Sequence, residues 1–177
     1  PSELFLAKRS QEDSGISIVS AIEGTRPILL EVQALVSPSG YSVPQRTSNG
    51  FDARRLQMIL AVLEKRLGVH LRQSDVFVNL AGGVYMNDPS LDLGVAAAIV
   101  SSAREAPVDQ SIVLIGEIGL TGEVRPVSNI ESRIHEAEKL GFSEVFIPAI
   151  NANKLTGRFS IKIKPVERIS SALAMIL

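Results

Sequence analysis

The sequence predicts an α/β domain built around a mixed β-sheet. Its 177 residues are the length of one domain, and its 45% apolar content is average for a globular protein. Short, mostly apolar segments typical of strands are interspersed with segments whose apolar residues recur at helical spacing. The predicted order is ββ-α-β-α-ββ-α-β-(β)-α. Because strands and helices do not alternate strictly in this order, the sheet is expected to be mixed.

The first half of the chain begins with a predicted β-hairpin. Residues 16–22 and 27–36 have the composition of strands, and turn residues separate them at 23–25. A helix is predicted over 51–67, where five aliphatic residues follow helical spacing. These residues are Leu56, Ile59, Leu60, Leu63 and Leu67. Gly68 is expected to end this helix, because glycine readily adopts the left-handed conformation found there.

The middle of the chain combines strands with an unusually apolar helix. A strand is predicted over 76–80, and the Asp-Pro-Ser triplet at 88–90 is typical of a helix start. The helix that follows is predicted over 91–106, and its small side chains favour close packing against a sheet. Strands are then predicted over 112–117 and 123–127 on either side of a glycine-containing turn.

The last third of the chain is predicted to contain two helices. Ser128 and Glu131 match a capping box, in which both side chains satisfy backbone N–H groups at a helix start. This helix is expected to run to Leu140 and to end at Gly141. The remaining predicted elements are strands over 145–147 and 159–163 and a closing helix over 166–176.

Composition and missing motifs exclude several functional classes. The absence of cysteine excludes disulfides, thiolate zinc sites and cysteine nucleophiles, and two histidines are too few for a histidine-rich metal site. No apolar run is long enough for a transmembrane helix, and residues 1–6 do not match a signal peptide. The sequence contains no P-loop and no nucleophile elbow, and its glycines at 116, 119 and 122 are typical of turns. No metal or cofactor site is therefore predicted in this chain.

The net charge of −1 conceals blocks of opposite sign. Residues 40–72 carry six Lys or Arg against two Asp or Glu, whereas residues 73–123 carry one against seven. Such blocks indicate either surfaces with different partners or an ordinary solvated surface.

Four long strings of residues carry a resemblance to a known family. The segments 23–36, 45–68, 75–102 and 116–142 resemble the C-terminal domain of bacterial DNA repair proteins of the RadA (Sms) type. The resemblance extends over nearly all of residues 1–177. It implies one domain with the fold of the Lon protease proteolytic domain, which is related to the second domain of ribosomal protein S5. It also implies a homo-oligomer, a hexameric ring.

The same resemblance argues against peptidase activity. Lon-type peptidases use a serine nucleophile and a lysine general base, and the matching positions here are Asp92 and Glu131. Two carboxylates cannot replace a hydroxyl–amine pair, so this chain is expected not to be an enzyme. One alternative is a residual hydrolase or cation site at Asp92 and Glu131, to which Asp88 and Glu117 would add ligands. The other is that Asp92 only stabilises a helix N-terminus.

Four arginines are the candidate DNA-binding residues, because in RadA-type proteins this domain helps to hold DNA. Arg26 lies at a hairpin turn, Arg46 in a loop, and Arg54 and Arg55 at a helix start, which favours phosphate binding. Their contacts are expected to be independent of DNA sequence and sensitive to salt. Alternatively, some of these arginines pair with Asp52, Glu23 or a neighbouring subunit. A further alternative is that the domain is an oligomerisation scaffold without DNA contact. Tyr85, where many members of the family have lysine, could stack on a base or cover the surface.

The resemblance also implies properties of a longer parent protein. The chain starts with Pro1 rather than Met, and we expect it to be a fragment. An ATPase and a zinc-binding segment, with their ATP, Mg²⁺ and Zn²⁺, are expected N-terminal to Pro1, so the fragment itself would not hydrolyse ATP. The parent would be an ATP-driven DNA branch-migration protein in the bacterial cytoplasm. Its expected partners are single-stranded or branched DNA and the recombinase machinery, and no membrane.

Overall fold

The computed structural model describes residues 12–177, so the signal-peptide and fragment predictions, which concern residues 1–6, lie outside the described part. The strands are β1 (Ile16–Glu23), β2 (Arg26–Pro38), β3 (Arg46–Asn49), β4 (Ser74–Leu80), β5 (Ile112–Leu114), β6 (Glu117–Ile118), β7 (Val124–Arg125), β8 (Glu144–Pro148) and β9 (Lys162–Val166). The helices are α1 (Ala53–Leu67), α2 (Asp92–Arg104), α3 (Ile130–Lys139), α4 (Ala149–Ala152) and α5 (Ile169–Ile176).

Seven strands form one sheet in the order β3-β4-β2-β1-β5-β8-β9, and β6 and β7 form a separate two-stranded sheet. β2 runs antiparallel to β1 and β4, whereas the other pairs in the large sheet are parallel. Six strands therefore point the same way. We call the edge where they end the carboxyl edge and the edge where they begin the amino edge. The predicted mixed α/β sheet is confirmed.

The predicted β1–β2 hairpin is also confirmed. Its register pairs Ile16 with Gln33 and Glu23 with Arg26. β1 lies in the middle of the sheet, because its other side pairs with β5. Helices cover both faces of β1, which explains why its sequence is almost continuously apolar.

α1 begins two residues later than predicted. Asp52 caps the helix, since its carboxylate accepts hydrogen bonds from the backbone N–H groups of Arg54 (2.8 Å) and Arg55 (3.0 Å). The helix ends at Gly68, as predicted, with the glycine in the left-handed conformation at φ 67°.

α2 is the central helix of the molecule, and its first ten residues are all buried. A Cβ added at Gly94 would lie 2.0 Å from a methyl group of Val19, so glycine is what lets the helix approach β1 this closely. The predicted helix start is confirmed: Asp88 accepts a hydrogen bond from the Ser90 N–H (3.0 Å) at a short 3-10 turn over Pro89–Leu91.

Helices bury the two faces of the sheet unequally. α1, α2 and α5 pack on one face against residues such as Val19 and Leu30. α3 packs on the other face against Ile18 and Leu29. The cover provided by α3 ends before β3 and β4, and Leu35 of β2 is 58% exposed there.

The capping box predicted at Ser128 and Glu131 is wrong. α3 begins at Ile130 after Asn129, which has a left-handed φ of 55° and makes no side-chain cap. The Glu131 carboxylate instead binds backbone groups of a distant loop that follows α4. In the folded chain Glu131 thus bonds to Thr156 and Gly157 and not to the local N–H group expected from the sequence.

Several other boundaries differ from the predictions. The closing helix predicted over 166–176 begins only at Ile169, because β9 extends to Val166. The strand predicted over 112–117 ends at Leu114, because the backbone of Gly116 bonds to Ser90 and Leu93 at the start of α2 instead of continuing the sheet. The last strand begins at Lys162 rather than at 159. β3 and α4 were not predicted, because β3 is a polar four-residue strand and α4 is a single turn.

Among residues 12–177, no helix is both long enough and apolar enough to cross a bilayer.

Candidate nucleic-acid interface

Asp92, which the sequence resemblance aligns with the nucleophile of Lon-type peptidases, lies at the start of α2 and is fully buried. Its carboxylate accepts a hydrogen bond from Nε of Arg55 (2.9 Å), a second bond from Nη2 of the same guanidinium, and a third from the Ile118 N–H (3.0 Å). This two-point contact between arginine and carboxylate has the strongest geometry available to such a pair. Asp92 is thus the acceptor of an ion pair between α1 and α2.

The surroundings of Asp92 explain how the charge is tolerated. Burial raises the pKa of Asp92, while the hydrogen bonds from Arg55 and from the Ile118 N–H act in the opposite direction. The hydrogen bond to Asp92 in turn raises the pKa of the Arg55 guanidinium. Glu117 lies 3.9 Å from the same guanidinium. The carboxylate is shielded from solvent and occupied by three donors, so it presents no free oxygen to a substrate.

A second buried ion pair lies four residues earlier in the chain. Nη1 of Arg133, which is 1% exposed, donates to Asp88 (3.0 Å), to the Ser90 hydroxyl (2.7 Å) and to the Ser20 carbonyl (2.6 Å). Burial works against ionisation of Asp88, but the charge of Arg133 and the hydrogen bonds from Ser90 lower its pKa overall. Asp88 also accepts a bond from the Ile22 N–H (3.0 Å). The start of α2 is therefore fixed to both α3 and β1.

Glu131, which the same resemblance aligns with the general base, does not share these partners. Its carboxylate accepts bonds from the Thr156 N–H and hydroxyl, both at 3.1 Å, and from the Gly157 N–H (3.0 Å). These bonds, led by that from the Thr156 N–H, lower the pKa of Glu131. Within residues 12–177, no cluster of three or more His, Asp or Glu side chains has the arrangement of a metal site.

Two of the four candidate arginines are occupied by internal contacts. Arg46 donates to the backbone carbonyls of Ser74 (2.6 Å) and Leu71 (2.8 Å), and its guanidinium lies 3.9 Å from Glu64. Arg55 is held by Asp92, as described above. The sequence-based alternative that some arginines pair with acidic residues therefore applies to these two, although the acids differ from those considered.

The other two candidates, Arg26 and Arg54, have exposed side chains. Arg26 is the first residue of β2, which begins at the carboxyl edge of the sheet. Arg54 lies at the start of α1, which follows the end of β3 at the same edge. Arg46 begins β3 and so lies toward the amino edge. Tyr85, in the loop that follows β4, is 64% exposed.

The positive block at 40–72 does not form one surface. α1 leads from the end of β3 to the start of β4, so the arginines at its start and the basic residues in its last turn, Lys65 and Arg66, lie toward opposite edges of the sheet. The charge count in the sequence therefore joins groups that the fold separates.

Comparison with known proteins identifies the family. A family model described as "Subunit ChlI of Mg-chelatase" matches residues 51–151, more than half of the chain. The chain belongs to this ChlI family. The matched part contains Arg54, Arg55, Asp92 and Glu131, whereas Arg26 lies before it.

The ChlI-family chain is also homologous along its whole length to proteins named DNA repair protein RadA. It is 46% identical over 177 residues to the RadA of Halalkalibacterium halodurans, over 173 residues to that of Bacillus subtilis and over 179 residues to that of a Synechocystis species. These alignments cover 100%, 98% and 100% of the chain, but only 39%, 38% and 35% of the three relatives. The chain therefore spans less than two fifths of the length of these relatives.

Sequence reasoning missed Arg133 in this ChlI-family chain. The apolar residues of α3, Ile130, Ile134 and Ala137, recur at helical spacing, and Arg133 lies on the same side of the helix. A charged residue on an otherwise apolar helix face indicates a buried, paired group, because an unpaired one would be too costly. That pattern could have identified Arg133, although not its partner Asp88.

Proposed function

We propose that this chain is the peptidase-inactive, Lon-like C-terminal domain of a RadA-type DNA repair protein, a single domain that assembles into a hexameric ring and binds DNA independently of sequence. The observation that carries the proposal is the 46% identity to RadA proteins over the whole chain. The resemblance of the sequence to the Lon and ribosomal protein S5 folds supports the finer assignment. The mixed α/β sheet is compatible with it.

The proposed loss of peptidase activity is supported by the state of Asp92. Nucleophilic catalysis needs a group that can reach a substrate and a base that takes its proton. Asp92 is fully buried and bound to Arg55, and Glu131 is bound to a separate loop. The residues at the two Lon positions therefore act within the fold as hydrogen-bond acceptors, which does not favour a residual hydrolase.

We propose that the DNA contacts come from the carboxyl edge. Arg26 and Arg54 are exposed there, and Arg54 stands at a helix start, where the helix dipole adds to the attraction for phosphate. Exposed Tyr85 offers a ring for stacking on an unpaired base. Arg55 contributes by tying the start of α1 to Asp92 at the start of α2, whereas Arg46 holds the backbone toward the amino edge.

The remaining properties belong to the parent protein. ATP hydrolysis, with its Mg²⁺, and Zn²⁺ binding would come from segments N-terminal to Pro1. The parent would migrate DNA branches in the bacterial cytoplasm, together with the recombinase machinery. Six copies of the domain would place twelve exposed arginines, Arg26 and Arg54 of each, around one ring.

The DNA contacts can be tested by the salt dependence of binding. In the full-length protein, the double variant Arg26→Ala/Arg54→Ala is expected to bind DNA more weakly and with a shallower dependence of log affinity on log salt. The slope should fall by about 0.9 for each duplex phosphate contact that is lost, or about 0.7 for a single strand.

The matched control is Arg72→Ala, which removes a 92% exposed arginine toward the amino edge. It should leave both affinity and slope unchanged. If the double variant binds like the wild type while the ring persists, the domain is an oligomerisation scaffold without DNA contact.

A further inference from the structure

One face of the large sheet is only partly covered. Beyond α3, six outward-pointing side chains on three adjacent strands remain accessible to solvent. We call these residues the open face: Gln33, Leu35, Thr47, Asn49, Phe77 and Asn79. Leu35 and Phe77 lie opposite each other in the register of β2 and β4, and Thr47 adjoins Phe77 in β3. An apolar strip thus crosses the sheet where none of the described helices covers it.

A row of amide side chains runs beside this apolar strip. Asn49 donates to Asn79 (2.8 Å), Asn79 to Gln33 (3.1 Å), and Gln33 to Glu31 (2.8 Å). A carboxamide has two N–H donors and an oxygen with two lone pairs, so a group that makes one bond of each kind can make more. The open face therefore offers apolar contact and hydrogen-bond partners side by side.

The loop between β2 and β3 extends the apolar surface at the amino edge. The Gln45 N–H donates to Asp75 (2.7 Å), which lies on the same side of β4 as Phe77, so the end of this loop reaches the open face. The loop also carries Tyr41 and Val43, whose side chains are both more than half exposed. An exposed apolar patch bordered by polar groups is typical of a protein interaction site.

A small hairpin projects from the opposite face of the sheet. Its strands, β6 and β7, contribute Ile118 and Val124 to the core beneath α1, α2 and α5. A Cβ added at Gly122 would lie 3.3 Å from a methyl group of Ile169 in α5 and 3.7 Å from Cγ of Arg66 in α1, so the turn lies between these two helices. We call residues 119–122 the hairpin turn. Its central apolar residue, Leu120, is 61% exposed.

Hydrogen bonds fix the hairpin turn and hold Leu120 in solvent. The Gly119 N–H donates to the Glu123 carbonyl (3.0 Å), the Thr121 hydroxyl donates to the Glu123 carboxylate (2.7 Å), and Arg168 donates to the Thr121 carbonyl. Within residues 12–177, the backbone N–H and C=O of Leu120 have no hydrogen-bond partner. The turn thus presents an apolar side chain beside free backbone groups, which complements an apolar strip beside a row of amides.

The positions of the two surfaces favour a head-to-tail contact between copies. A contact between two different surfaces of the same chain leaves one of each free, so it repeats and forms a ring when the rotation closes. Three strands about 4.8 Å apart, each with two residues about 7 Å apart, present on the order of 200 Å², whereas a stable pair buries about 800 Å² on each partner. In a closed ring, each copy makes two such contacts and leaves only when both break, which compensates for a small area.

We propose that the hairpin turn of one copy docks on the open face of the next copy, with Leu120 against Leu35 and Phe77. The backbone groups of Leu120 bond to the amide row, and the loop with Tyr41 and Val43 borders the contact. This inference rests on the proposed ring and names the surfaces that form it.

The contact can be tested by cross-linking between chains, because the sequence contains no cysteine. Thr47→Cys places a thiol on the open face, and Thr121→Cys places one beside Leu120. A mixture of these two variants should form cross-linked dimers at least about tenfold faster than a mixture of Thr47→Cys with Met175→Cys, because docking raises the local concentration of the paired thiols. Met175 is a matched control, since it lies on α5, on the same face as the hairpin turn, and is 51% exposed.

Substitutions of Leu120 separate docking from chance encounter. In the Thr121→Cys chain, Leu120→Asp should reduce the rate to that of the control mixture, whereas Leu120→Met should preserve it. A rate equal to that of the control would overturn the proposal. Efficient cross-linking of Thr47→Cys with itself would also overturn it, in favour of a symmetric contact between two open faces, and so would protection of that thiol by DNA but not by a second copy.

The chain that carries both Thr47→Cys and Thr121→Cys distinguishes failure of this contact from failure of the ring. Its two thiols lie on opposite faces of the sheet, so a short cross-linker joins only thiols of different chains, and a ladder ending at six chains is expected. A ladder that ends at another number would support the contact but contradict the proposed hexamer. A hexamer in native mass spectrometry without this cross-link would overturn the contact and leave the ring.

Discussion

At the residue scale, the start of α2 depends on two aspartates that are each held by an arginine from another helix. Asp88 binds Arg133 of α3, and Asp92 binds Arg55 of α1. Each arginine is about forty residues distant from its aspartate in the sequence, and each pair is largely removed from solvent. The turn between β4 and α2 is therefore fixed from both sides of the sheet.

Arg133→Met is expected to destabilise the protein strongly. The substitution removes the donor for Asp88, Ser90 and the Ser20 carbonyl, and leaves a partly buried carboxylate without its partner. Breaking a buried ion pair from one side typically costs about 3–5 kcal/mol. Urea unfolding of the variant should show this loss, whereas Lys139→Met, at an exposed position of the same helix, should change the free energy of unfolding by less than about 0.5 kcal/mol. Equal stabilities of the two variants would contradict the role assigned to Arg133.

The candidate arginines show what a sequence can and cannot predict about a site. The sequence indicates which residues carry charge and which stand at a helix start, and on that basis it predicted all four arginines as DNA-binding residues. It does not indicate that Arg55 has a partner 37 positions away in Asp92, or that Arg46 binds carbonyls across β4. Whether a charge is available to a ligand depends on tertiary contacts of this kind.

At the element scale, α3 uses two acidic residues to hold a distant loop. Glu131 accepts hydrogen bonds from Thr156 and Gly157, and Glu138 accepts them from Ser160 and Ile161. Between them on the helix, His135 stacks on Phe159, with ring centroids 4.6 Å apart. The polar side of α3 is thus the anchor of the loop between α4 and β9.

The anchoring of this loop is expected to weaken in acid. Hydrogen bonds led by those from Thr156 and Ile161 lower the pKa values of Glu131 and Glu138 below the ordinary 4.5. Because folding lowers these two pKa values, the ionised carboxylates stabilise the folded protein above pH 4.5. This stabilisation is lost as the pH falls through the pKa values of Glu131 and Glu138 in the folded protein. NMR titration should show the amide protons of Thr156 and Ile161 shifting at a pH below 4.5. Glu131→Gln should abolish the titration at Thr156 and retain that at Ile161.

An element was predicted accurately where the residues that determine it lie within its own segment of the sequence. The β1–β2 hairpin and α1 were predicted well, because a turn, a spacing and a terminal glycine encode them within the segment itself. The start of α3 was mispredicted, because the hydrogen-bond donors to Glu131, Thr156 and Gly157, lie 25 and 26 positions away in the sequence. β3 could not be predicted from its four polar residues, since it is a strand only by pairing with β4.

At the scale of the whole molecule, the direction of the strands separates two surfaces. The carboxyl edge carries Arg26, Arg54 and the loop with Tyr85, whereas Arg46 and the end of α1 lie toward the amino edge.

The strand β9, at one side of the large sheet, carries two lysines and Pro165, which disfavour pairing with another sheet. Assembly of several copies is therefore expected to use surfaces other than this edge.

Native mass spectrometry of the full-length protein is expected to show a hexamer. Pro165→Val, which restores a backbone donor at β9, should leave this stoichiometry unchanged, because the ring does not use that edge. A monomer or dimer under conditions that support DNA binding would contradict the proposed ring.

The position of β1 in the sheet has a consequence for how the molecule folds. β1 pairs on one side with β2 across a two-residue connection, and on the other side with β5, where Val19 meets Leu114. The first pairing closes a short loop, whereas the second brings together residues 95 positions apart and carries a larger entropic cost. The hairpin can therefore form early and serve as a template, and the C-terminal half of the sheet adds to it strand by strand in a slower, non-local phase.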